Sequence, residues 1–262
     1  MLTSERQRLL HEHAIKTGEV SIADMAKKFN VSIETIRRDI NILCQKNLLK
    51  KVHGGAISMQ AHIREDSYDI RRTQRTSEKL AICSYIAENM IQDNDSIALA
   101  SGSTMEMLAD IITGQNLFIV TNSINVATIL QNRMRREALS GELILLGGEL
   151  HSNERYTNGL ITLELLQKFT FSKTFFSASA ICGDQLMNSN VHEGYVISTM
   201  IKNSQFCCLA ADGRKLDMRS TYTFAHLGDI DAMVTDEEAT VSEDLRSALD
   251  ANEVELYQAP AK

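Results

Sequence analysis

The run Ser32-Ile-Glu-Thr-Ile-Arg-Arg-Asp-Ile-Asn-Ile-Leu43, with the basic Lys51-Val-His-Gly-Gly-Ala56 shortly after it, constrains the fold of this chain more than any other stretch. At about 100° per residue, Ile33, Ile36, Ile40 and Leu43 share an apolar stripe. Glu34, Arg38 and Asn41 point the other way, with Thr35 and Arg37 on the flanks. Ser32 stands where an N-cap is wanted, so the helix starts with free backbone N–H groups and a positive dipole end that suit a phosphate.

Residues 21–29 form a shorter helix by the same criteria. Ser21 caps it, Asp24 completes a capping box, and Ile22, Met25, Ala26 and Phe29 line one side. Asn30 suits a left-handed C-cap. Two short helices across a tight turn, the second bearing the polar face, make a helix-turn-helix. A helix over residues 4–16 adds Leu9, Leu10, Ala14 and Ile15 to the core and stops at Gly18. Residues 48–52, followed by Gly54-Gly55, suggest a strand and tight turn, hence a winged form with Lys50, Lys51 and His53 beside the phosphate backbone. The expected DNA contacts are therefore Ser21, Ser32, Glu34, Thr35, Arg37, Arg38, Asn41, Lys51, His53, Gly54 and Gly55. A small helical bundle with a solvated charged face is the plainer alternative.

Charge divides the chain in the same place. Residues 1–58 carry ten Lys or Arg against six Asp or Glu, net +4, while the remainder carries 17 against 28, net −11, within an overall −7. The basic end faces a polyanion and the acidic end has another task. Residues 59–76 are polar and mixed in charge and read as a linker, with Arg71, Arg72 and Arg75 near the DNA side or simply solvated. Ser77 then caps a helix whose apolar residues are Leu80, Ala81, Ile86 and Ala87.

Residues 77–262 alternate strand, small polar turn and helix, the βα unit of an open α/β sheet. Strands are expected at 96–100, 117–120, 142–146, 173–181, 206–211 and 232–235. Helices are expected at 105–112, from 123 through 130, at 162–168, at 194–203 and at 242–251. The fold class is thus α/β, an N-terminal winged helix-turn-helix followed by a Rossmann-like open sheet. Ligands of such sheets sit at the carboxyl ends of the strands. Those ends carry Ser101, Gly102, Ser103 and Thr104; Thr121, Asn122 and Ser123; Gly147 and Gly148; and Asp212 and Lys215. Glycine admits close backbone approach, hydroxyls at a helix start can bind an anion, and a lysine neutralises a phosphate. The same residue types also serve simply to start helices.

Val31-Ser-x-x-Thr-Ile-Arg-Arg-Asp-Ile40, Leu43 and His53-Gly-Gly-Ala56 resemble the N-terminal domain of the DeoR family of bacterial transcriptional regulators, and a weaker resemblance extends along most of the chain. It implies a phosphosugar-sensing C-terminal domain related to sugar-phosphate isomerases. On that basis the Gly102-Ser103-Thr104 turn, Thr121-Asn122-Ser123, Gly147-Gly148, Glu193, Asp212 and Lys215 are effector residues. The chain departs from the family at Ala100, where an acid is usual, at Ser177 and Ala180, where glycines are usual, and at Ile197, often lysine. Each change alters the polarity or shape of a sugar pocket.

The resemblance implies a ligand-responsive DNA-binding repressor of a carbohydrate operon, working as a dimer or tetramer on double-stranded operator DNA and released by a phosphorylated sugar. The alternatives are an isomerase with an attached DNA-binding domain, using Glu193, Asp212 and His192, and an architectural protein whose α/β domain serves only assembly. No catalytic residue, cofactor or metal is expected. The five cysteines, Cys44, Cys83, Cys182, Cys207 and Cys208, lack any zinc-ligand spacing, and the Cys207-Cys208 pair falls in an apolar run that reads as a buried strand. Without a signal peptide or an apolar run near the roughly 18 residues of a membrane span, the expected location is cytoplasmic.

Overall fold

A computed structural model describes residues 3–17, 19–46, 48–52, 54–58 and 67–261, with backbone only at 15–17, 19, 57 and 58. The chain divides into two compact units, Met1–Arg64 with Asp217–Ser220, and Glu65–Leu216 with Thr221–Lys262.

In the first unit α1 (Thr3–Thr17), α2 (Ile22–Phe29) and α3 (Ile33–Gln45) bury Leu10, Ala14, Met25, Ala26, Ile36, Ile40 and Leu43 together. A small antiparallel sheet, β1 (Glu19–Ser21), β2 (Leu49–Val52) and β3 (Gly55–Ser58), in the order β1-β3-β2, contributes Val20, Leu49 and Ala56 to that core. The local signals act as expected. Ser21 accepts a hydrogen bond from the Asp24 N–H at 3.3 Å, Ser32 accepts one from the Thr35 N–H at 3.2 Å, and Asn30 closes α2 at φ 52° and ψ 51°. Ile33 departs from its stripe and is half exposed, because the first helical residue projects before the helix reaches the core. Gly18 and His53 lie outside the described residues, as does the side chain of Ile15.

The second unit begins with α4 (Tyr68–Thr73) and α5 (Thr76–Asn89). Then follow β4 (Ser96–Leu99), α6 (Ser103–Ile111), β5 (Leu117–Thr121), α7 (Ile124–Arg135), β6 (Gly141–Leu145), β7 (Glu149–His151), β8 (Tyr156–Asn158) and α8 (Leu160–Leu166). The remainder is β9 (Phe171–Phe176), β10 (Ala180–Cys182), β11 (Gln185–Asn188), α9 (Val191–Lys202), β12 (Ser204–Ala210), β13 (Tyr222–His226), β14 (Ala232–Asp236), α10 (Glu243–Ala251) and β15 (Glu255–Ala259). Seven strands lie parallel in the order β15-β14-β12-β9-β4-β5-β6. Their continuous apolar runs, such as Ile97-Ala-Leu99 and Cys207 to Ala210, are buried, as strands covered on both faces must be. The winding reverses between β4 and β9, and the ligand crevice of such sheets opens at the strand ends flanking that point.

Several elements depart from expectation. The presumed linker over 59–76 contains α4; residues 59–66 lie outside the described residues. Tyr68 is buried, its hydroxyl donates to the Glu106 carboxylate at 2.7 Å and accepts from Asn125 Nδ2 at 2.5 Å, and the Arg155 guanidinium lies 4.8 Å from its ring centroid. Arg71 pairs with Glu154, and Arg75 with Glu78 at 3.1 Å, so both arginines are engaged within this unit. Arg75, left-handed at φ 49°, stands at the N-cap of α5 where Ser77 was expected, and Leu80 is exposed. The strand expected over 173–181 breaks at Ser177, and β10 joins a separate antiparallel sheet with β11 and β13. No helix among the described residues is long and apolar enough to cross a membrane.

Candidate nucleic-acid and effector sites

On α3 the side chains of Glu34, Arg37, Arg38 and Asn41 are exposed together, and Thr35 is half-buried with its hydroxyl 2.8 Å from Ser32 Oγ. Arg37 reaches Glu34 at 3.5 Å, an exposed pair worth little and easily exchanged for a base edge or phosphate. Asp39 faces inward instead. It accepts from Arg6 Nε at 2.5 Å and Gln7 Nε2 at 3.0 Å, tying α3 to α1. The Ser21 and Ser32 hydroxyls are spent on their caps, so their role toward DNA is to set the helix starts. In the wing, Gly54 has φ +80°, and a Cβ on Gly55 would stand 2.1 Å from the Val20 carbonyl oxygen. Lys51 on β2 is exposed.

The strand ends flanking the winding reversal bring most of the expected effector residues together. Gly102, at φ +112° with open space before it, starts α6 ahead of Ser103 and Thr104. Ser103 Oγ accepts from Lys79 Nζ at 3.0 Å; Lys79, on α5, is buried and also donates to the Arg71 carbonyl at 2.5 Å. Across the crevice Lys215 Nζ donates to Ser177 Oγ at 2.6 Å, which in turn donates to the Ala210 carbonyl at 2.6 Å. Burial, with the Lys215 charge nearby, brings the Lys79 ammonium down to about 8, against a partial offset from Asp212. Arg75 Nε lies 3.7 Å from Asp212, and Asp236 accepts from the Gly213 N–H at 2.8 Å. Glu193 is buried at the start of α9, accepting from Ser101 Oγ at 2.9 Å and Asn188 Nδ2 at 3.4 Å. His192 beside it is exposed, so the two do not act as a pair.

A buried and a half-buried ammonium group, Lys79 and Lys215, a row of hydroxyls and an open helix start can hold a multiply charged oxyanion, and an inward carboxylate can receive hydroxyl groups. Lys79 was not expected there. Its signal was present: at helical spacing it falls on the same side as Ile82, Cys83 and Ile86, and a lysine on a buried stripe needs an anionic or polar partner. At the departures from the family pattern, Ser177 fixes Lys215, Ala100 and Ile197 are fully apolar and buried, and Ala180 lies in β10.

The other expected residues, Gly147 apart, hold structure rather than open space. Thr121 accepts from the Ser123 N–H at 3.1 Å, Ser123 caps α7, and Asn122 Nδ2 donates to the Thr157 carbonyl at 2.9 Å. Gly148, at φ +146°, lets Thr162 close in, since a Cβ would lie 2.0 Å from Thr162 Oγ1; Gly147 is exposed. Among the described residues no group of three His, Cys, Asp or Glu could hold a metal.

Two family models match: the DeoR-like helix-turn-helix domain over residues 6–62 and the DeoR C terminal sensor domain over residues 74–237. The lactose phosphotransferase system repressor of Staphylococcus epidermidis is 33% identical over 222 residues, 84% of this chain and 87% of that protein. Its namesake from Streptococcus mutans is 30% identical over 237 residues, 90% and 93% of the two chains. Among solved structures, ribose 5-phosphate isomerase A from Methanocaldococcus jannaschii aligns over 53% of each chain with a TM-score of 0.35 and 15% identity.

Proposed function

This chain belongs to the DeoR family of transcriptional regulators, and on that premise we propose that it represses a carbohydrate-metabolism operon and is released by a phosphorylated sugar. It is a regulator rather than an enzyme, as its curated relatives are repressors. The observation that carries the proposal is the pairing of an outward arginine face on α3 with an inward lysine pair, Lys79 and Lys215, at the winding reversal. Arg37, Arg38 and Asn41 read base edges, while Lys51 and the helix start at Ser32 position the phosphate backbone. The effector phosphate sits against Gly102, Ser103, Lys79 and Lys215, and Glu193 takes a sugar hydroxyl in place of Ser101. Ligand then favours an arrangement of a homo-oligomer whose recognition helices no longer match two half-sites about one DNA turn apart.

Salt-titrated mobility shifts on DNA upstream of neighbouring sugar-utilisation genes, run with and without a panel of phosphorylated hexoses and pentoses, test this. Replacing Arg37 or Arg38 with Ala should weaken specific binding by about 1 to 3 kcal/mol. Binding that is indifferent to sequence, or to every sugar phosphate, would refute it.

A further inference from the structure

Of the large apolar side chains exposed on the described residues, six cluster on neighbouring elements of the second unit: Leu150 on β7, Leu160, Ile161 and Leu165 on α8, and Val191 and Tyr195 on α9. They are 41 to 70% exposed. β7 pairs with β8, Leu150 opposite Thr157, and β8 runs through Gly159 directly into α8, which packs on α9. Around α8, Thr162, Leu163 and Leu166 take the inward arc, while Leu160, Ile161 and Leu165 share the outward one.

We propose that this α8–α9 face is where a second copy of the chain docks. Its exposed apolar surface, on the order of 600 Å², is at the top of what a monomer usually shows and approaches the roughly 800 Å² per partner of a standard interface. Charge selects the partner. The residues after 58 carry a net −11, so two such units repel except where the contact is neutral. The exposed fixed charges on and beside these helices, Glu149, Glu164, Lys168 and Lys202, cancel. Two-fold pairing is what a helix-turn-helix with repeated half-sites requires. The same helix also links the interface to the effector site, since Glu193 points inward to Ser101 between the outward Val191 and Tyr195. A ligand that takes the Ser101 partner from Glu193 acts directly on the helix that carries the interface.

The proposal rests on the chain working as a DNA-binding oligomer, so assembly is measured apart from DNA binding. Sedimentation of the full chain should give a dimer or larger species, and the exposed double substitution Leu160→Glu with Ile161→Glu should raise the dissociation constant at least 100-fold, with circular dichroism and melting of the second unit unchanged. Leu80→Glu, exposed on α5, which packs against α6, β14 and β15 rather than α8 or α9, should leave assembly intact. A monomeric wild type would overturn the proposal, as would an oligomer that survives the double substitution or breaks only with Leu80→Glu. A wild type that binds operator as a monomer would sink the interface and spare the regulator; an intact oligomer without operator binding would do the reverse.

Discussion

Removing the Asp39 carboxylate should unfold the DNA-binding unit while leaving the rest of the protein intact. Asp39 is 2% exposed and holds the also buried Arg6 at 2.5 Å, with Gln7 on its second oxygen. Asp39→Ala leaves a guanidinium buried without its counter-charge, a loss of about 3 to 5 kcal/mol. A unit of some 68 residues has roughly 3 to 6 kcal/mol in total, so the variant should be marginal or unfolded at 25 °C. Calorimetry or urea denaturation should show the first transition lost and the second moved by less than about 0.5 kcal/mol. Operator binding should vanish with it. The double variant Arg6→Met with Asp39→Leu removes both charges and restores apolar packing, so stability and operator binding should both return. A single variant destabilised by less than about 1 kcal/mol would refute this account of the pair. A refolded double variant that still fails to bind would mean that Asp39 has a role beyond holding α3 to α1.

Sugar-phosphate affinity should rise as the ligand gains its second negative charge near pH 6, then fall as pH passes about 8, where free Lys79 loses its proton. The bound anion raises the Lys79 affinity for its proton, so binding takes one up around pH 8; titration calorimetry in buffers of different ionisation enthalpy reads that uptake, and Lys79→Met should abolish it. Gly55→Ala should melt the first unit earlier by on the order of 1 to 3 kcal/mol, because the new methyl meets the Val20 carbonyl and parts β1 from β3; an unchanged calorimetric transition would contradict that. Burial pushes the Cys83 and Cys207 thiols up to about 12 and Cys208 higher still, so a thiol reagent at pH 8 should label half-buried Cys44 and Cys182 first and the other three only on unfolding. Rapid labelling of Cys83 in the folded protein would count against that packing.

What could be read from the sequence alone was local. The caps at Ser21, Asn30 and Ser32, the apolar residues of α3 and the βα alternation depend on backbone chemistry and periodicity within a few residues. The outward faces of Arg37 and Arg38 follow from the same periodicity. Contacts between residues far apart in the chain left no such trace. The burial of Tyr68 against Glu106 turned an expected linker into a docked helix, and β13 and β15 are short strands whose partners, β11 and β14, lie elsewhere in the sequence. Tertiary structure also sorted the strand-end residues. It gathered Ser103, Asp212 and Lys215 around Lys79 and set Glu193 on Ser101, and spent Thr121, Asn122, Ser123 and Gly148 on caps and close packing. The physical reason is that a hydroxyl or glycine at a strand end meets the same local needs whether or not a ligand is near. Only the order of the strands decides which ends share the crevice at the winding reversal.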